Sequence, residues 1–317
     1  MADPDGFIRK TLSPVAGVFN RARLGMPGHY FHGTGGIGDD LMCTTVFREL
    51  KKRGRSRIAF GTCHPGLFGN NSDVDHIIHN PRPRLDYWLR AGLPFTRLGY
   101  SAYYPETDGD EPLKEHVLIK LCRLANIGGP IELRPYLFLT PEEFAAGKVA
   151  ENQVAIQSSA LGATYAMRNK EWYPQRFQEV CSELRKDVQV VQLGSAGDPK
   201  MEGAVDLRGK TSLRQSAGIL ANSLVFIGLE GFLMHLARAV DCRSVIIYGG
   251  RLKPSQIGYV ANRNLYSQVK CAPCWLRNPC EFDRKCMDII TPQQVIAATA
   301  EQISKYGTLL EVQTANI

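Results

Sequence analysis

Short β-rich apolar runs alternating with amphipathic helical stretches predict an α/β chain made of two doubly wound sheets in tandem, facing one another across a cleft. Length agrees with two units. The 317 residues exceed the usual size of one core, so domains of about 150 residues are expected, here 1–150 and 151–317. The third observation is the junction Ile227-Gly-Leu-Glu-Gly-Phe-Leu-Met-His-Leu-Ala-Arg-Ala-Val240. An apolar strand over 224–227 runs into a turn bracketed by Gly228 and Gly231. Helical spacing then follows at Leu233, Leu236, Ala237 and Val240. A helix that starts this way aims unpaired N–H groups and partial positive charge at an anion. An ordinary strand-to-helix turn of a doubly wound sheet carries the same pattern.

In chain order, the first half reads as a strand at 29–32, a glycine loop, a helix over 39–53, and strands at 57–61 and 74–79. This is a βαβ beginning. The pattern weakens over 86–104. Leu113, Val117, Leu118, Leu121 and Leu124 then restore an amphipathic helix over 112–126. The stretch 133–140, with Pro135 and then Pro141, reads as the crossing into the second unit. There the expected order is a strand at 154–157, a helix at 175–186, a strand at 188–193, a helix at 212–222, the junction above, a strand at 244–248 and a last helix over 292–305.

Composition sets the broad class. With 44% hydrophobic and 22% charged residues the chain reads as globular and not disordered. A net charge of +7 favours acidic partners, but its cations are interspersed with acids as on a solvated surface, which argues against nucleic acid as a partner. The basic run Lys51-Lys52-Arg53-Gly54-Arg55-Ser56-Arg57 reads as a helix end complementing its dipole. No apolar segment is long enough to span a bilayer, and the N-terminus lacks a secretory pattern. The expectation is a cytoplasmic protein with at most peripheral membrane contact, and with room for a homo-oligomer.

The nine cysteines divide into two groups. Cys43, Cys63, Cys122, Cys181 and Cys242 stand singly in apolar surroundings, as buried thiols do. Cys271, Cys274, Cys280 and Cys286 follow C-x2-C-x5-C-x5-C, a set able to close a tetrahedral site around Zn²⁺ or iron. Four thiolates leave no position for water, so such a site would be structural. Pro273 and Pro279 mark an irregular loop that a metal would anchor.

The loop Gly33-Thr-Gly-Gly-Ile-Gly38 fits G-x-G-x-x-G. The second strand nevertheless ends without the acid a dinucleotide ribose requires, and no Lys-Ser or Lys-Thr completes a P-loop. Asp39 follows at the helix start, with Asp40 beside it. It reads either as a helix cap worth about 1 kcal/mol or as a general base at the mouth of a cleft. In the second reading Gly35, Gly36 and Gly38 let a substrate approach closely.

Taken together, these segments resemble glycosyltransferase family 9, the ADP-heptose:lipopolysaccharide heptosyltransferases, from about residue 29 to 299. Gly38-Asp-Asp-Leu-Met-Cys-Thr-Thr45 is similar to the family's Gly-Asp segment. Asn169-Lys-Glu-Trp-Tyr-Pro174 is similar to its Lys-x-Trp-Pro, with Tyr173 inserted. Leu207-Arg-Gly-Lys-Thr-Ser-Leu213 is similar to the segment before the helix under the nucleotide. Glu230-Gly-Phe-Leu-Met-His235 is similar to Asp-Thr-Gly-Leu-Met-His, with a longer carboxylate and the threonine lost.

The resemblance implies a GT-B fold with an acceptor-binding N-terminal domain, a nucleotide-sugar-binding C-terminal domain, and inverting transfer without a catalytic metal. It makes Asp39 the base. It places Lys170 and the amides of Gly231, Phe232, Leu233 and Met234 around the donor diphosphate, makes Glu230 a donor-binding residue, and sets His235 close by or else packed as a core histidine. The nucleoside would lie against Gly194 to Asp198 and Thr211, with Asp198 on the ribose. Similar cysteine loops, holding iron, occur in the autotransporter heptosyltransferases. The implied reaction moves a sugar, heptose from ADP-heptose first among candidates, to a hydroxyl of a saccharide, glycolipid or protein. Two other readings stay open here: a non-catalytic binding or assembly protein on the same scaffold, and a glycosyltransferase acting on nucleic acid.

Overall fold

A computed structural model describes residues 4–23, 25, 29–55, 57–79, 92 and 95–314. It divides into two compact units. One comprises Met1–Tyr100 and Leu118–Phe138, the other Ser101–Val117 and Leu139–Ile317.

Unit 1 contains helix α1 (Pro4–Arg23), absent from the sequence reading, then strand β1 (His29–His32), helix α2 (Ile37–Lys52), and strands β2 (Ile58–Thr62), β3 (His76–His79) and β4 (Thr96–Arg97). The four strands form a parallel sheet in the order β3-β2-β1-β4. β1 is the first strand and its neighbours lead away on both sides. The gap between β1 and β4 is therefore the point where strand order reverses, and ligands of open α/β sheets bind beyond the strand C-termini at such a point. Helix α2 buries most of its length, including Leu41, Val46, Phe47 and Leu50. The Phe47 ring packs 4.9 Å from that of Phe60, which packs 5.2 Å from Phe68. Each such ring removed from water stabilises the unit by about 2 to 3 kcal/mol.

The helix expected over 112–126 is the shorter α3 (Val117–Leu124). Residues 134–138 stay with unit 1 because α2 captures them. Thr44 Oγ1 accepts the Tyr136 amide at 2.8 Å and Thr45 Oγ1 donates to the Arg134 carbonyl at 2.6 Å. The Arg48 guanidinium lies 4.8 Å from the Tyr136 ring centre. The chain thus leaves unit 1 after Phe138, earlier than the boundary expected at 150. The stretch Ser101–Val117 belongs to unit 2, where a short hairpin pairs β5 (Tyr103–Tyr104) with β6 (Gly109–Asp110).

Unit 2 continues with α4 (Pro141–Ala146), β7 (Gln153–Gln157), α5 (Pro174–Leu184), β8 (Gln189–Leu193), β9 (Val205–Asp206), α6 (Leu213–Ala221), β10 (Phe226–Leu229), α7 (Phe232–Ala239), β11 (Ser244–Gly249), α8 (Pro254–Ile257), β12 (Arg263–Tyr266), α9 (Lys285–Asp288) and α10 (Pro292–Thr314). Its six strands are parallel in the order β12-β11-β10-β7-β8-β9. Strand order therefore reverses between β7 and β10. Capping boxes start two helices: Thr140 with Glu143 at α4, and Ser212 with Gln215 at α6. These two helices touch through glycine. A Cβ at Gly147 would lie 2.0 Å from the Gly218 carbonyl carbon, so no side chain fits between them. The core beneath the sheet contains Val154, Ile156, Trp172, Phe177, Ile227, Val245 and Ile247.

Candidate active site

The β7/β10 switch point of unit 2 brings together the residues that the junction motif and the Lys170 segment supply separately. Glu230 follows the last residue of β10, and Lys170 ends a 3-10 turn (Arg168–Lys170) in the segment leaving β7. Lys170 Nζ lies 2.6 Å from Glu230 Oε2, with side chains 17% and 5% exposed. Burial lowers the Lys170 pKa from its ordinary value against the opposing pull of Glu230. Burial pushes the Glu230 carboxyl up, but Lys170 and Arg251 more than offset it and hold it below the usual range. Arg251 is itself buried and lies close enough to act on both.

Directly after Glu230, Gly231 caps α7 with extended backbone and no side-chain hydrogen bond. Phe232, Leu233 and Met234 form its first turn, where amides have no intrahelical acceptor. These amides and the partial charge behind them suit a phosphate. His235 is part of the packing beneath. It is buried, its Nδ1 lies 2.5 Å from Tyr259 Oη, and burial lowers its pKa to about 4, so it is neutral at pH 7.

The loop after β8 folds on itself. Gly194 has φ +132°, and a Cβ there would meet Asp198 Oδ2 at 2.2 Å, so glycine is required. The same Oδ2 accepts the Ser195 amide at 2.9 Å, and burial raises the Asp198 pKa. Asp198 thus holds its own loop through one carboxylate oxygen. Thr211 Oγ1 lies 2.8 Å from Ser216 Oγ at the start of α6.

A second charged group adjoins the Lys170–Glu230 pair. The Asp110 carboxylate takes both Arg251 Nη2 and the fork of Arg277, whose Nε and Nη2 lie 3.1 and 2.6 Å from Oδ1. Three cations (Lys170, Arg251, Arg277) are interleaved with the carboxylates of Glu230 and Asp110, and Asp108 also acts on Arg277, so the cluster is balanced in charge. Neither arginine nor Asp110 was singled out from the sequence, since no local pattern joins residues this far apart.

Cys271, Cys274, Cys280 and Cys286 line one pocket of about 220 Å³ with Asn169, Arg251 and neighbouring residues. All four are free thiols, and burial raises the pKa of Cys274 and of Cys286. Their chemistry suits Zn²⁺ or iron. Among the described residues, however, no three His, Cys, Asp or Glu side chains converge closely enough to hold a metal ion. Of the five single cysteines, Cys43, Cys122, Cys181 and Cys242 are buried and Cys63 is half-buried.

In unit 1, α2 starts two residues before the expected Asp39, so Asp39 lies inside its first turn and Gly36 takes the cap position. Asp39 Oδ2 accepts Thr34 Oγ1 at 2.5 Å. Gly35, at φ +93°, permits the tight loop before it, and Gly38 is already helical. The loop after β1 and the loop after β2 converge here through Asp40. Its fully buried carboxylate Oδ2 accepts Thr62 Oγ1 at 2.6 Å and His64 Nδ1 at 2.9 Å. This Asp40–Thr62–His64 group was also missed, because Asp40 reads as a neighbour of the more conspicuous Asp39.

Two units, each built on a parallel, doubly wound sheet, define the GT-B fold class. Residues 140–284 match the sequence model of glycosyltransferase family 9 (heptosyltransferase), bearing out the resemblance read from the sequence. Among solved structures, the fold is similar to that of E. coli ADP-heptose lps heptosyltransferase II, with a TM-score of 0.65 at 18% identity over 87% of this chain and 98% of that one. It is also similar to the iron-containing dodecameric glycosyltransferase TibC from enterotoxigenic E. coli H10407, with a TM-score of 0.67 at 19% identity over 89% of this chain and 76% of that one. TibC in complex with ADP-D-beta-D-heptose gives a TM-score of 0.67 at 18% identity over 87% and 76%. No curated protein matches the sequence. The solved structures share the fold, and the family match covers a little under half of the chain, all of it within unit 2.

Proposed function

We propose that the chain is an inverting glycosyltransferase that moves a sugar, heptose from ADP-heptose first among candidates, to a hydroxyl of a saccharide, glycolipid or protein. The observation that carries this reading is the Lys170–Glu230 pair at the start of α7, set at a strand-order reversal. The ammonium and the amides of residues 232–234 stabilise the charge that develops on the departing diphosphate. Glu230, held ionised by Lys170 and Arg251, accepts hydrogen bonds from the sugar. Asp39 removes the proton of the acceptor hydroxyl as it attacks the anomeric carbon. Unit 1 takes the acceptor. Unit 2 takes the donor, its nucleoside against Gly194, Asp198 and Thr211.

The four cysteines of the 271–286 loop are proposed to hold Zn²⁺ or iron after their thiols draw together, a reading supported by the iron in TibC. When bound, the metal supplies anchorage for the loop. No helix among the described residues is long and apolar enough to cross a membrane, and we place the protein in the cytoplasm with at most peripheral membrane contact. The dodecameric TibC supports a homo-oligomer.

The test is turnover. Incubation with ADP-, GDP- and UDP-linked sugars should release nucleoside diphosphate from the ADP-linked donor in preference to the others. Release from none of them, with acceptor glycans present, overturns the reading.

A further inference from the structure

We propose that Asn169, Arg251 and Asp110 are positioning residues of the donor site, through which the cysteine loop sets the place of Lys170. The inference rests on the reading of Lys170 as a diphosphate contact. Lys170 stands on a single 3-10 turn, too short to hold itself. Hydrogen bonds from the cysteine loop hold that turn on both sides. The Asn169 amide donates to the Arg277 carbonyl at 2.9 Å, and its buried side-chain Nδ2 donates to the carbonyls of Leu276 at 3.2 Å and Pro279 at 2.8 Å. The Arg168 amide donates to Asn278 Oδ1 at 3.0 Å, and Arg284 Nη1 donates to the Glu171 carbonyl at 2.9 Å. Residues 168, 169 and 171 are thus all bonded to the 276–284 segment.

The loop is fixed in turn at the end of β11. The amides of Cys274 and Trp275 donate to the carbonyls of Gly250 and Arg251, each at 3.2 Å, and Arg251 Nε donates to the Leu276 carbonyl at 3.1 Å. Asp110 closes the arrangement. Its amide donates to the Trp275 carbonyl at 3.0 Å, and its carboxylate grips Arg251 and Arg277 together. A bidentate guanidinium–carboxylate contact fixes direction as well as distance. The buried Arg251 and Asn169 therefore leave the turn one position, with the Lys170 ammonium already on Glu230. A lysine delivered in place loses little further freedom on meeting a phosphate, whereas one on a loose turn must be ordered by the ligand itself.

The experiment is calorimetric titration of ADP into the full chain, with a double-mutant cycle between Asn169→Ala and Lys170→Ala. Asn169→Ala, which lowers the melting temperature by leaving two carbonyls without their donor, should weaken ADP binding by about 10- to 100-fold at a temperature where the variant is folded, because a displaced contact costs about that much. In the Lys170→Ala background the same change should cost little more, since its effect passes through the ammonium. Arg251→Lys, which keeps the charge and loses the Nε contact to the Leu276 carbonyl, should behave as Asn169→Ala does, and it carries the cycle if Asn169→Ala does not fold. Losses that add, or ADP affinity unchanged in both variants while Lys170→Ala abolishes it, overturn the inference alone. ADP that fails to bind wild type overturns the donor-site reading and this inference with it.

Discussion

Lys170 Nζ and Glu230 Oε2 meet at 2.6 Å across the strand-order reversal of unit 2, one from the turn after β7 and the other from the end of β10. The pair concentrates opposite charges where water is largely excluded. Removing one partner leaves the other buried and uncompensated, at a cost of about 3 to 5 kcal/mol. Lys170→Ala should therefore lower both stability and ADP affinity. Lys170→Met combined with Glu230→Gln should recover most of the stability without recovering ADP affinity. Urea denaturation and calorimetry read the two effects separately, and joint recovery would show that the lysine serves folding alone.

Asp39 sits in the first turn of α2 with Thr34 Oγ1 on one oxygen. As the base it should matter for the chemical step and not for donor binding. Asp39→Asn should reduce kcat by about 10²- to 10⁴-fold with ADP affinity within about twofold. Turnover near the wild-type rate would remove it from that role.

His235 gives a pH dependence with a defined sign. Burial lowers its pKa from 6.5 to about 4, so between these values the unfolded chain takes up a proton that the folded chain does not. Its contribution is intact above pH 6.5 and is lost as pH falls toward 4, amounting to about 3 kcal/mol. His235→Gln should shrink the difference in unfolding free energy between pH 7.5 and 4.5 by about that amount. An unchanged difference in the variant would place the histidine in water.

Asp40 tests the packing of unit 1. Its carboxylate is fully buried on Thr62 and His64, and it also fills the space that a side chain at Gly33 would need. Asp40→Ala should destabilise by about 3 kcal/mol or more, since two donors lose their acceptor and a cavity opens. Asp40→Asn, close in shape, should cost less. Equal midpoints for wild type and Asp40→Ala in urea would contradict the role.

The strands of this fold were legible where burial on both faces forces continuous apolar residues. β7, β8 and β11 lie within a residue of their expected places for that reason, and β1 does so on its buried Tyr30-Phe31 pair alone. β12, Arg-Asn-Leu-Tyr, is a partly exposed edge strand whose polar residues carry no such mark. The hairpin of β5 and β6 has strands of two residues, too short for any period to register. The site divides in the same way. Glu230 and the amides after it were readable because one local junction encodes them. Asp110 and Arg251 lie 141 positions apart, and only the fold brings them together. The cysteine spacing was plain in the sequence. That the loop's carbonyls hold the turn bearing Lys170 was not, since main-chain hydrogen bonds leave no trace in residue identity.

The central claim is that unit 2 grips a nucleotide diphosphate between the Lys170 ammonium and the first turn of α7. A crystal structure with ADP tests it most directly. The diphosphate oxygens should lie about 3 Å from Lys170 Nζ and from amides of residues 232–234, beside Glu230. ADP held in another pocket, with Lys170 still bound only to Glu230, would contradict it.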